Sequence, residues 1–212
     1  TTLHCSSAAS DVYKRQTKSH VEWLNKFQSL AKTPLLITMD AEWGPAQRLS
    51  DVFAHPWNMT LGAIQDDSLV REISKRMAEQ NKALGIHFNF SPSVDVNNNS
   101  KNPIIGNRSF GEDPINVYKK AKAYIQGHKD VGVYTSIKHF PGHGDTDMDS
   151  HKTLPVISGN MKRLNNVELF PFKKLIDEGL AESVMLAHLS VPAIDKKYPS
   201  SLSYKPVGKL LR

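Results

Sequence analysis

The chain has 212 residues, of which 39% are hydrophobic and 23% charged, with a formal net charge of +6. That length suits one sizeable domain, and that balance excludes a disordered or fibrous chain. The basic residues are scattered, with no run interleaved with aromatics, so the charge reads as a solvated surface and no nucleic-acid partner is expected.

A single cysteine, Cys5, excludes an internal disulfide and leaves the compartment open. No apolar run approaches the roughly 20 residues that cross a bilayer, so no transmembrane segment is expected. The opening TTLHCSSAASDVYKRQ has no signal-peptide pattern and no periodicity, and it resembles translated sequencing adapter. Residues 1–16 are therefore expected to be a non-native or disordered leader, and 17–212 the folded domain.

In chain order, VEWLNKFQSLAK places Val21, Leu24, Phe27 and Leu30 on one helical stripe. PLLITMD is a short apolar run ending in Asp40, which predicts a buried strand. DDSLVREISKRMAEQNKALG has an Asp/Ser start and Gly85 at its end, the punctuation of a helix. IHFNFSPSVDV predicts a second strand, closed by the turn-rich NNNSKNP. PINVYKKAKAYIQGHKDVG predicts a helix opened by Pro114. YTSIKHF predicts a third strand. RLNNVELFPFKKLIDEGL predicts one helix with a core stripe at Leu169, Phe170 and Phe172, and AESVMLAHL a fourth strand.

Strand alternating with helix implies parallel strands and crossover helices. A doubly wound open sheet and a (β/α)8 barrel both fit that order. The glycine-rich dinucleotide fingerprint is absent. Polar residues recur at the strand ends: Asp40, Asp95, Lys138 with His139, and His188. In a barrel these ends converge on one mouth, which favours an α/β fold of the (β/α)8 TIM-barrel type. A barrel needs eight strands and about 250 residues. Four strands are visible, so an incomplete barrel is expected.

The densest chemistry lies in KHFPGHGDTDMDSH, residues 138–151. Gly142 and Gly144 permit unusual backbone angles. Asp149 and His151 are two residues apart, and a carboxylate beside an imidazole can fix its tautomer and stabilise its charged form, as a general acid/base requires. The same pair could cap a helix. His143 and Asp145 read as loop-stabilising, while structural hydrogen bonding accounts for Asp95 and His188 as well as function does.

The longer string KHFPGHGDTDMDSHKTLP resembles the signature of family 3 glycoside hydrolases of the β-N-acetylhexosaminidase branch, which includes β-N-acetylglucosaminidases of bacterial cell-wall recycling. The resemblance runs from about Pro34 to the C-terminus. It implies a barrel and a retaining hydrolase that releases terminal β-linked N-acetylglucosamine. The implied partner is carbohydrate, an N-acetylglucosamine-containing glycan or glycopeptide; no metal or organic cofactor is implied. Carbohydrate metabolism and peptidoglycan recycling are the implied setting, in bacterial cytoplasm, periplasm or cell envelope. By the same resemblance, Asp149 and His151 form the acid/base dyad. Asp40, Arg48, Arg108 (in NRSFGEDP), Lys138 and His139 hold the sugar, carboxylates accepting from hydroxyls and cations donating.

This chain departs from the family pattern twice. After Asp40 the family has a glutamate and paired glycines before the Arg, whereas here Trp43 and Pro45 intrude in DAEWGPAQR. The family's nucleophile is an Asp ending a strand beyond SVMLAHL, past a helix like YKPVGKLLR. Asp195 in PAIDKK lies in a loop and does not match, so the nucleophile is expected beyond residue 212, and the 212 residues alone are expected to be inactive. Two alternatives stay open. One is a metal-dependent hydrolase using His139, His143, Asp145, Asp149 and His151, against which the histidines form neither H-x-H nor H-E-x-x-H. The other is an inactive sugar-binding piece.

Overall fold

A computed structural model describes residues 16–147 and 154–211. The expected leader, apart from Gln16, lies outside these residues.

The elements alternate as expected. They run α1 (Thr17–Leu30), β1 (Thr38–Met39), α2 (Asn58–Ala63), α3 (Asp67–Ala83), β2 (Phe88–Asn89), α4 (Pro114–Val131), β3 (Tyr134–Thr135), β4 (Ile137–Phe140), α5 (Met161–Asn166), α6 (Phe170–Asp177) and β5 (Val184–Leu186). Every strand pairing is parallel: Thr38 opposite Phe88, Phe88 opposite Tyr134, and Ile137 opposite Val184. The YTSIKHF strand is two short strands joined at Ser136, one half laddered to β2 and the other to β5. Backbone bonds from Val94 N to the Lys138 carbonyl and from Lys138 N to the Pro92 carbonyl carry the β2 side of the ladder forward. The result is a four-stranded parallel arc with helical crossovers, an incomplete domain of the TIM-barrel type. Among the described residues β1 pairs only with β2, and β5 only with β4.

The helix punctuation follows the sequence closely. Asp66 caps α3 by accepting from Ser68 N, and Asp113 caps α4 by accepting from Ile115 N and Asn116 N, with Pro114 in the first turn. Gly132 ends α4 in the left-handed region, φ 79°. One expectation is corrected. The segment RLNNVELFPFKKLIDEGL forms two helices, α5 and α6, not one. Pro171 lacks an N–H and its ring crowds the carbonyl four residues back, so the chain breaks at Val167 and restarts.

Helices α3 and α4 pack tightly across the outside of the arc. They meet at Gly127, where a Cβ would sit 2.4 Å from the Arg71 carbonyl oxygen. Leu61, Val70, Met77, Phe110, Tyr124, Ile137, Phe140 and Phe172 form the core between helices and strands. Burying each such side chain is worth roughly 1.5–3 kcal/mol.

One buried polar network crosses this core and positions the mouth. The Asn89 side chain makes a two-way bond with the Ala41 backbone, both at 3.0 Å, and donates to His128 Nε2 at 3.0 Å. His128 Nδ1 then donates to Ser74 Oγ at 2.8 Å, and Ser74 donates to the Tyr124 carbonyl at 2.6 Å. Burial holds the His128 imidazole down to about 3, so it stays neutral and can take both roles. Because Asn89 clasps Ala41, β2 fixes the backbone between Asp40 and Glu42.

Candidate active site

The loops that follow β1, β2 and β4 meet at the C-terminal end of the arc. The five residues assigned to sugar binding from sequence come together there. Arg48 Nη2 donates to Asp40 Oδ2 at 3.1 Å, and Lys138 Nζ donates to Asp40 Oδ1 at 2.9 Å. Lys138 also meets Glu42 Oε1 at 2.7 Å. Arg108 grips the same carboxylate from Nη2 at 2.7 Å and from Nε at 3.0 Å. Arg108 Nη2 also lies 3.2 Å from His139 Nε2, and His139 Nδ1 lies 2.7 Å from Asp95 Oδ2. Charge thus alternates along a chain of contacts from Arg48 through Asp40, Lys138 and Glu42 to Arg108, and the His139 ring links Arg108 onward to Asp95.

These contacts assign the His139 tautomer. Asp95 can only accept, so the proton sits on Nδ1, which leaves Nε2 to accept from Arg108. Asp95 is fully buried and also accepts from His143 N at 2.6 Å, His139 N at 3.2 Å and Ser93 Oγ at 2.8 Å. Burial alone pushes its carboxyl upward. The His139 ring and the donated hydrogen bonds outweigh that and hold it well below the usual carboxylate range. Glu42 shows the same contest. Burial raises it, but Lys138 and Arg108 hold it down at about 2.

Exposure divides the network. Asp40 and Arg48 side chains keep 35% and 27% of their surface, and Arg108 and His139 also reach solvent, whereas Lys138 keeps 2% and Glu42 1%. The open members can meet a ligand's hydroxyls. Lys138 and Glu42 form the floor beneath them.

Glu42 was missed from sequence, although a signal was present. It stands two residues past Asp40, and on an extended chain alternate residues share a face. Asp95, held equally as structural, turns out to position the His139 ring. His188 lies apart from this network and contacts Ser201 Oγ at 2.6 Å. Asp195 is held by Ser203 Oγ at 2.7 Å and by the Lys197 backbone N–H at 2.9 Å, within its own loop. The dyad residues Asp149 and His151 lie outside the described residues.

The described part of the loop is tightly seated. A Cβ at Gly144 would lie 1.8 Å from the Val96 carbonyl oxygen, so only glycine permits this approach. His143 Nδ1 meets Thr146 Oγ1 at 2.7 Å, and Asp145 pairs with Arg163 at 2.8 Å. Among the described residues, no group of three or more His, Cys, Asp or Glu is placed to hold a metal ion. A cavity of about 310 Å³ elsewhere, between α1 and the Leu84–His87 segment, contains none of the network residues.

With this geometry in place, the chain can be compared with known proteins. The family described as "Glycosyl hydrolase family 3 N terminal domain" matches residues 7–212. A Beta-hexosaminidase A of Pseudoalteromonas piscicida is 35% identical, covering 87% of this chain and 34% of that protein. A Beta-hexosaminidase of Nitrosomonas eutropha is 37% identical, covering 87% of this chain and 54% of that protein. Among solved structures, a glycoside hydrolase family 3 beta-N-acetylglucosaminidase from Paenibacillus sp. str. FPU-7 superposes with a TM-score of 0.88. It shares 39% identity and covers 94% of this chain and 40% of that one. The chain therefore spans between a third and about half of the length of these three relatives.

Proposed function

The chain belongs to glycosyl hydrolase family 3, and from that premise we propose that the whole protein is a retaining β-N-acetylhexosaminidase releasing terminal β-linked N-acetylglucosamine. The carrying observation is the convergence of Asp40, Arg48, Arg108, Lys138 and His139, picked from distant parts of the sequence, into one hydrogen-bonded network at the strand ends. The names of the relatives support the same reading.

In this reading Asp40 accepts hydrogen bonds from sugar hydroxyls. Arg48 and Arg108 donate to hydroxyls or to the acetamido carbonyl. Glu42 and Lys138 hold those groups from below. His139 is kept by Asp95 in the tautomer that presents Nε2 to the mouth side. Asp149 steadies His151, which protonates the leaving oxygen. A nucleophilic aspartate on a strand beyond residue 212 attacks the anomeric carbon and forms a glycosyl-enzyme bond. His151 then takes a proton from water as that bond is hydrolysed. The substrate is an N-acetylglucosamine-containing glycan or glycopeptide, such as peptidoglycan recycling would supply.

The test uses the full-length protein. A chromogenic β-N-acetylglucosaminide should be turned over far faster than the matching β-glucoside. His151→Ala should lower kcat by ~100-fold or more, the scale of a lost general acid/base. Undiminished turnover by His151→Ala, or a preference for the glucoside, would overturn the proposal.

A further inference from the structure

The loop after β1 carries a feature the network does not use. Trp43 and Trp57 stack with ring centroids 4.0 Å apart and planes 15° from parallel. Among the described residues Trp57 is 42% exposed, and Phe53, on the same loop and edge-on to His55, is 68% exposed. Large apolar rings gathered at the surface generally mark a binding surface.

The pair is fastened to the sugar-binding network at both ends. Trp43 directly follows Glu42, the carboxylate beneath Lys138 and Arg108. Trp57 directly precedes Asn58, whose Nδ2 donates to the Arg108 carbonyl at 2.7 Å. A backbone bond from His55 N to the Trp43 carbonyl at 3.3 Å closes the loop between them. Gly44, at φ 82°, turns the chain there, where a Cβ would lie 2.8 Å from His55. Both rings therefore belong to a braced turn on the strand-end side of the arc. Trp43 also stands where the family pattern has one of its paired glycines.

We infer that the Trp43–Trp57 stack is a platform for the saccharide on the leaving-group side of the scissile bond. The inference rests on the proposed function. An enzyme that removes a terminal sugar seats that one residue in the polar network, and a further sugar can extend only toward the leaving group. One face of a β-linked pyranose presents C–H groups, which match an exposed indole, and the rigid aromatic contact costs little side-chain entropy. Contact with a part of the substrate that does not react can be used to favour the correct substrate in the transition state.

The experiment compares two substrates on the full-length protein: N,N′-diacetylchitobiose, with a sugar leaving group, and methyl β-N-acetylglucosaminide, with almost none. Trp57→Ala should lower kcat/KM on the disaccharide at least ~10-fold more than on the methyl glycoside, chiefly through KM. Trp57→Phe should recover most of that difference. An equal loss on both substrates together with a lowered Tm would overturn the inference, because the rings would then be packing against the remainder of the chain. No loss on either would overturn it too. If the unsubstituted protein cleaved neither substrate, the proposed function itself would fail, and the platform with it.

Discussion

Replacing Glu42 by glutamine removes one charge from the floor of the site while keeping its shape. In the folded protein this carboxyl is held from its ordinary 4.5 down to about 2 by Lys138 and Arg108, against the opposing effect of its own burial. That drop is equivalent to roughly 3 kcal/mol of preference for the ionised form. Loss of one partner from a buried pair costs about 3–5 kcal/mol in general. Lys138 keeps Asp40 at 2.9 Å, so the lower end is expected. Glu42→Gln in the full-length protein should therefore lose about 3 kcal/mol in urea unfolding at pH 7. The sign with pH is fixed. The contribution of Glu42 is complete above about 4.5 and is lost as pH falls toward 2, because a protonated carboxyl resembles the amide. The gap between parent and variant should accordingly narrow by about 2 kcal/mol between pH 7 and pH 3. A loss under about 1 kcal/mol at pH 7, or a gap that does not change with pH, would refute this account of the floor.

Further outcomes can be checked on the full-length protein. Asp95→Asn leaves His139 facing an amide that cannot accept all four of the donors Asp95 now holds. KM for the N-acetylglucosaminide should rise ~10-fold with a smaller change in kcat, measured by steady-state kinetics. Gly144→Ala drives a methyl group into the Val96 carbonyl and should cost at least about 1–3 kcal/mol together with most activity. Gly159→Ala meets only the flexible Arg163 side chain, at 3.1 Å, and should stay within about 0.5 kcal/mol by thermal unfolding.

Local chemistry made much of this molecule legible in advance. Asp113, Pro114 and Gly132 mark the ends of α4, because caps and turn residues act within a few positions of themselves. Alternating strand and helix patterns led to a parallel arc. Polar residues at the strand ends led to Asp40, Lys138 and His139, since the topology carries every strand end to one mouth, whereas Arg48 and Arg108 were marked only by the family resemblance. The sequence also held Pro171, whose effect on the helix around it is local and could have been anticipated.

Only tertiary structure decided which partner each charge takes. Glu42 and Arg108 are 66 residues apart, and Asp95 and His139 44 apart. No periodicity reports a contact over that range, because pairing there depends on how three strand ends are staggered around the arc. Burial was equally hidden. Nothing in the letters separates Lys138, sealed against Glu42 and Asp40, from a lysine in solvent. The sequence by itself marked Asp40, Lys138 and His139 as groups standing at the mouth. Packing decided which of them remain open to a ligand and which serve beneath as counter-charges, since desolvation and Coulomb energy are properties of the assembled site.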